Sequence, residues 1–307
     1  MIEVLRFVTH LQKQFSQKNS DILYKLYNFN MSDDPFNEEK YKVAPGLIYK
    51  YHGRALWLIS KICAVHCDFC MRGRLTKNKS LNPYLSDVKI DQTLKYLGKN
   101  PEIREVILSG GDPLFVPQDY LKKIIFGLTL LQKNNKLDTI RIHTRLPVVR
   151  PKMIKSWHYR LLAKIKNPYL VLHINHPSEI TKDFVQVSDN FRKKCVALVL
   201  SQSVLLKGIN DNQETLCELF TELVINGIHP YYLHYIDPVP WAEKYRVSFK
   251  RAVSIWQSLR PKLSGLAATA KFVIEAPGGM GKVTIPDKGW NTSYSFYNDF
   301  LGNKFKP

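Results

Sequence analysis

Cys63, Cys67 and Cys70 stand four and three residues apart in the stretch KICAVHCDFCMRGR, and no fourth cysteine follows at comparable spacing. Closed zinc and iron–sulfur sites take four protein ligands. Three thiolates leave one position open, which is what a metal centre needs to bind an exogenous ligand. A four-iron cluster with one unique iron fits that count. A Cys3His zinc site using His66 is the competing reading, but His66 is too close in sequence to its neighbours for the usual zinc spacing.

Such a loop needs a frame. Apolar or β-branched runs recur at RALWLISKI (from Arg54), EVILSG (Glu105), TIRIHT (Thr139), YLVLHIN (Tyr169), VALVLSQS (Val196) and PYYLHYID (Pro230). Between them, helical periodicity appears near Asp91 to Gly98, Gln118 to Lys133, Lys152 to Ile165, Thr181 to Lys193 and Glu214 to Asn226. This alternation predicts an α/β fold with a parallel sheet and right-handed crossovers, a partial (β/α)6 TIM-like barrel. Active sites of such folds lie where the strands end. Polar groups do follow the strands: Cys63, then Ser109 to Asp112, His143 to Arg145, His173 to His176, Ser201 to Ser203, and Asp237. The expected divisions are a short N-terminal helical extension at 1–45, the barrel at 46–260 and a C-terminal segment at 261–307.

At 307 residues, with 45% hydrophobic and 23% charged, the chain reads as a soluble globular protein of one main domain. MIEVLRFVTHLQKQF carries charges through its apolar part and CVALVLSQSVLL is too short to span a bilayer, so no membrane partner and a cytoplasmic location are expected. Cys195 and Cys217 sit in apolar surroundings and read as core residues. The net charge of +19 raises the question of a polyanionic partner. Lysines such as Lys77, Lys79, Lys89, Lys95 and Lys122 are scattered without an aromatic-and-basic motif, so a solvated surface is favoured and nucleic acid is not expected.

The CxxxCxxC spacing, with Phe69 before the last cysteine and SGGDP after the next strand, resembles the motif of the radical S-adenosylmethionine (SAM) superfamily. The resemblance implies a [4Fe-4S] cluster on Cys63, Cys67 and Cys70 whose unique iron binds SAM. Ser109, Gly110, Gly111 and Asp112 would lie near the SAM amino group, the glycines admitting close backbone approach and Asp112 helping to position it. More of the chain resembles one family: YKYHGRALWLI, RIHTRLPVV, HINHPSEI, QSVLLKGINDN, PYYLHYID and EAPGGMGK match the lysine 2,3-aminomutases in order, over most of Tyr49 to Lys282. The branch that makes β-lysine for elongation factor P is the nearest, given PGLIYKYHGRAL and PYYLHY.

That resemblance implies pyridoxal 5′-phosphate (PLP) as a third cofactor and an amino acid as substrate, whose amino group migrates from Cα to Cβ. It implies Lys282 as the PLP Schiff-base lysine, Arg54 and Lys50 as phosphate ligands, and His173 and Gln202 as SAM contacts. Arg72 would bind the substrate α-carboxylate, for which a planar bidentate donor is suited. Asp237 and Glu275 would bind the remote ammonium of lysine, since a desolvated ammonium needs paired negative charge. Flavodoxin or ferredoxin would be the reductant, and a homo-oligomer is admitted.

The chain departs from the family pattern at Glu275, where free-lysine enzymes carry Asp, at Gly73, which interrupts an arginine pair, and in a short N-terminal extension. One extra methylene moves a carboxylate by about 1.5 Å, which leaves arginine or ornithine as alternative substrates. A radical SAM enzyme acting on RNA would need Cys195 or Cys217 near the site, and a zinc-bearing RNA-binding protein would need no cluster.

Overall fold

Alternation decides which face of each strand is covered. Along Thr139–Thr144, residues Ile140, Ile142 and Thr144 are buried while Arg141 and His143 are half-buried on the opposite face. The computed structural model describes Gln14, residues 32–78, 80–276 and 281–285, and the backbone at 297–298 and 304–305. Its main sheet orders the strands as they occur in the chain: β1 (Lys42–Ala44), β2 (Leu47–Tyr51), β3 (Arg54–Ser60), β4 (Glu105–Gly110), β5 (Thr139–Thr144), β6 (Tyr169–His173), β7 (Leu198–Val204), β8 (His229–His234), β9 (Lys271–Glu275) and β10 (Lys282–Thr284). Strands β3 to β9 run parallel, and β1, β2 and β10 are antiparallel additions at the two edges. A separate pair joins β11 (Tyr297–Asn298) to β12 (Lys304–Phe305).

The helices are α1 (Gly73–Thr76), α2 (Asp87–Lys99), α3 (Gln118–Lys133), α4 (Leu146–Val149), α5 (Ser156–Leu162), α6 (Lys182–Cys195), α7 (Gln213–Ile225) and α8 (Phe249–Leu259). Four begin where a short polar side chain satisfies a free backbone N–H: Ser86, Thr181, Asn212 and Ser248 cap α2, α6, α7 and α8. Their apolar stripes join the outer sheet face in one core that includes Trp57, Leu108, Ile142, Leu172, Phe184, Leu219 and Trp256.

The α/β partial barrel expected from the sequence is thus the fold, as a mixed sheet that is not closed. Three details differ. A seventh parallel strand, KFVIE, follows the unforeseen helix α8, because three consecutive buried residues, Phe272 to Ile274, are too short a run to show a period. The expected boundaries at 46 and 261 therefore do not interrupt the sheet: β1 pairs with β2 across the first, and β9 pairs with β8 beyond the second. The run read from Val196 becomes a strand only at Leu198, since Cys195 ends α6 and Val196 takes a left-handed conformation (φ 53°). Of the N-terminal extension, residues 1–13 and 15–31 lie outside the described residues. Its described end holds a 3-10 turn, Glu38–Tyr41, before β1.

Candidate active site

The loop after β3 carries the cysteines and is gripped by the loop after β4. Gly111 N–H donates to Ser60 O at 2.6 Å and Asp112 N–H to Ile62 O at 2.8 Å. A Cβ on Gly110 (φ +108°) would stand 2.3 Å from Ser60 O, and one on Gly111 would stand 2.1 Å from Ile62 O. Only glycine allows this approach, so the pair is required by backbone-on-backbone packing against the cysteine loop.

Asp112 ties two loops together. Its Oδ1 accepts from Thr144 Oγ1 at 2.6 Å and Leu114 N–H at 3.0 Å, and its Oδ2 accepts from Arg145 N–H at 2.8 Å and Leu146 N–H at 2.9 Å. A carboxylate offers about four acceptor positions. Four donors converge on this one, so Asp112 braces the β4 and β5 loops against each other.

The three thiols lie within range of one another's charge. Burial pushes the Cys63 thiol well up, and Asp112, Cys70 and Cys67 add to the shift. Burial also raises Cys67, partly offset by Arg145. Buried thiols that repel one another as thiolates need a cationic centre to become thiolates together, and an iron cluster supplies one, so these residues fit the group. Among the described residues no three His, Cys, Asp or Glu side chains are drawn together tightly enough for a single ion. Cys195 donates to Tyr159 O at 3.3 Å, and Cys217 lies on α7 near Lys262. Neither serves an RNA-modifying site at the barrel mouth.

The connection after β8 presses on the same loop. Trp241 Nε1–H donates to Cys70 O at 2.8 Å, Lys244 pairs with Asp68 at 3.0 Å, and Phe69 meets Tyr245 edge-on at 6.2 Å. Gly73 has its reason here: a Cβ would stand 2.8 Å from the Trp241 ring. Asp237 begins this connection, which ties the cysteine loop to the expected ammonium site.

His173 and Gln202 are register partners on β6 and β7. His173 Nε2 meets Asn175 Oδ1 at 3.0 Å, and its ring lies 5.6 Å from Phe69. Burial holds His173 well below the ordinary imidazole value, with Arg145 and His234 adding. Burial does the same to His143, with Arg141, Arg72 and Lys282 adding, and takes His234 down to about 3. The imidazoles facing this mouth are therefore neutral.

Lys282 and Glu275 are register partners on β10 and β9, joined at 2.8 Å. Tyr51 Oη–H donates to Glu275 Oε1 at 2.7 Å, so a side chain of β2 spans to β9 where the sheet edges are not hydrogen-bonded. Burial raises Glu275, but Lys282 and Tyr51 outweigh it and hold the carboxyl below its ordinary value. Asp237 behaves oppositely: burial and the nearby Glu275 charge push it up to about 7, against Lys282, Arg72 and Arg246. Arg72 is clasped by Glu38, with Nε–H donating to Oε2 at 3.1 Å and Nη2–H to Oε1. Lys50 Nζ donates to Phe36 O at 2.9 Å, and burial lowers its pKa despite Glu275 and Glu38. The Arg54 guanidinium lies 4.6 Å from the Tyr51 ring centre.

The structure thus places Arg72, Glu275 and Lys282 within electrostatic range of Asp237, with Lys50 near Glu275 and Lys282. The Pro277 to Met280 part of the glycine-rich turn before Lys282 lies outside the described residues. Sequence reading missed Glu38, Tyr51, Glu179, Gln14 and Trp241, which carry no motif. Arg145 was visible only as a polar strand end.

The radical SAM superfamily model matches residues 57–220. L-lysine 2,3-aminomutase of Methanococcus maripaludis is 34% identical over 260 residues, 85% of this chain and 58% of that one. The enzyme of the same name from Buchnera aphidicola is 36% identical, with coverage of 84% and 74%, and that of Escherichia coli is 38% identical, with 76% and 66%. The chain spans less than three fifths of the length of the Methanococcus relative. Among solved structures, a radical SAM methyltransferase from Sphaerobacter thermophilus shares the fold, with a TM-score of 0.53 at 20% identity over 76% of this chain and 71% of that one.

Proposed function

Because the chain belongs to the lysine 2,3-aminomutase family of the radical SAM superfamily, we propose that it is an isomerase converting L-lysine to β-lysine with a [4Fe-4S] cluster, SAM and PLP. The observation that carries the substrate is the half-buried carboxyl pair, Asp237 and Glu275, in range of Lys282 and Arg72. When bound, the cluster with SAM supplies hydrogen abstraction and PLP supplies amine transfer with delocalisation.

Cys63, Cys67 and Cys70 hold the cluster, His173 and Gln202 face SAM from adjacent strands, and Lys282 holds PLP, whose phosphate Arg54 and Lys50 meet. Glu275 Oε2 accepts from Lys282 Nζ at 2.8 Å and so fixes where that amine stands; Lys282 must give up a proton to become a nucleophile. Arg72 is oriented by Glu38 through Nε and Nη2, which leaves its Nη1 edge for the substrate α-carboxylate. An arriving ammonium favours the ionised Asp237, because its positive charge offsets the burial and the Glu275 charge that push this carboxyl up.

The product is used to modify elongation factor P, a reading that rests on the segments PGLIYKYHGRAL and PYYLHY. The reductant is a flavodoxin or ferredoxin. The setting is cytoplasmic, where free thiols stay reduced, and no described helix is long and apolar enough to cross a membrane.

Anaerobic reconstitution with lysine, SAM and dithionite is expected to give β-lysine. Turnover of arginine or ornithine in its place would overturn the substrate and keep the reaction class. Lys282→Ala is expected to lose covalently held PLP, seen by borohydride trapping, while iron content stays unchanged. Covalent PLP in that variant overturns the assignment of Lys282.

A further inference from the structure

One cation at the cysteine loop has no part in the roles above. Arg145 follows β5 and is 7% exposed, and its Nη1–H donates to Cys67 Sγ at 3.0 Å. Its Nη2–H donates to both oxygens of Glu179 at 3.2 Å and to Gln14 Oε1. Glu179 and Gln14 are both fully buried. Gln14 Nε2–H donates to Glu179 Oε1 at 2.7 Å, and Gln14 O accepts from Asp68 N–H at 3.0 Å, beside Cys67. Asp112 fixes the Arg145 backbone at 2.8 Å.

This arrangement is more than an ion pair. A buried arginine and glutamate seeking only mutual neutralisation adopt the fork-to-fork geometry, with two nitrogens on two oxygens. Here one nitrogen serves both carboxylate oxygens and the other is turned to sulfur. Hydrogen bonds and positive charge at a cluster sulfur favour the reduced, more negative cluster, while a nearby carboxylate opposes it. Accepting the reading that Cys63, Cys67 and Cys70 hold the cluster, we propose that Arg145 is a positioning residue that raises the cluster's reduction potential through Cys67, and that Glu179 moderates it.

The test is reconstitution of wild type, Arg145→Gln, Arg145→Lys and Glu179→Gln, with iron and sulfide assays and reductive titration followed by electron paramagnetic resonance. Arg145→Gln is expected to retain iron and shift the reduction equilibrium about tenfold toward the oxidised cluster, about 59 mV for one electron. Arg145→Lys, which keeps the charge, is expected to fall between it and wild type. Glu179→Gln is expected to move the equilibrium the other way, a reversal that a merely structural role does not produce. A wild-type midpoint in iron-replete Arg145→Gln, or shifts of the same sign in Arg145→Gln and Glu179→Gln, overturns the proposal. Loss of iron from all three variants assigns the network to loop structure alone and also overturns it. A wild type that takes up no iron overturns the cluster reading itself.

Discussion

The two ends of the site are held by different means. At the cysteine end, backbone meets backbone: Gly110 and Gly111 sit against Ser60 and Ile62, and four donors converge on Asp112. At the lysine end, β2 meets the paired strands β9 and β10 through a side chain, with Tyr51 and Lys282 both engaging Glu275. The first arrangement cannot loosen without leaving buried donors unpaired, which costs about 1–3 kcal/mol for each. The second can exchange one ion pair for another when a cationic ligand arrives. A preorganised cysteine loop facing an exchangeable charge network fits the proposed aminomutation, in which the radical source would stay fixed while the amino acid comes and goes.

The contrast predicts stability losses at one end and ligand effects at the other. Asp112→Ala strands buried donors on three loop residues and a threonine, and is expected to cost about 3–5 kcal/mol, read by denaturant unfolding. A loss below about 1 kcal/mol would show that the brace is dispensable. Gly111→Ala forces a Cβ onto Ile62 O and is expected to cost roughly 2–3 kcal/mol, with less iron taken up at a given iron and sulfide supply.

At the other end, the Asp237 carboxyl titrates near 7 in the free protein because of burial and Glu275. It is ionised and attractive to an ammonium above that pH, and neutral below it. Lysine affinity, followed by PLP absorbance without SAM, is therefore expected to fall by up to about tenfold for each pH unit below 7. Asp237→Asn should flatten the profile, and an unchanged slope would remove Asp237 from the ammonium site. The smallest effect is expected for Tyr51→Phe, about 1 kcal/mol or less of stability, since Glu275 keeps Lys282. A loss of several kcal/mol there would mean that the lysine end is as rigid as the cysteine end.

Much of the frame was legible in the sequence. Six parallel strands show as apolar runs with polar ends, because a strand buried on one face and ending at a ligand mouth must be built that way. Strand β9 was hidden because KFVIE is five residues long between charges. Gly73 read as a departure near the substrate, whereas the structure explains it by the Trp241 ring that occupies its side-chain space.

The sequence by itself determined the chemical inventory: three thiols at fixed spacing, a glycine pair after the next strand, and polar groups at the strand ends. Local spacing suffices there because the cysteine loop is contiguous. The tertiary structure alone decided which partners those groups have. Arg72 meets Glu38 from 34 positions away, Arg145 meets Gln14 from 131, and Tyr51 meets Glu275 from 224. The last of these arises because the mixed sheet curves until its second strand faces its ninth, and all three depend on register and tilt, which no local pattern in the chain encodes.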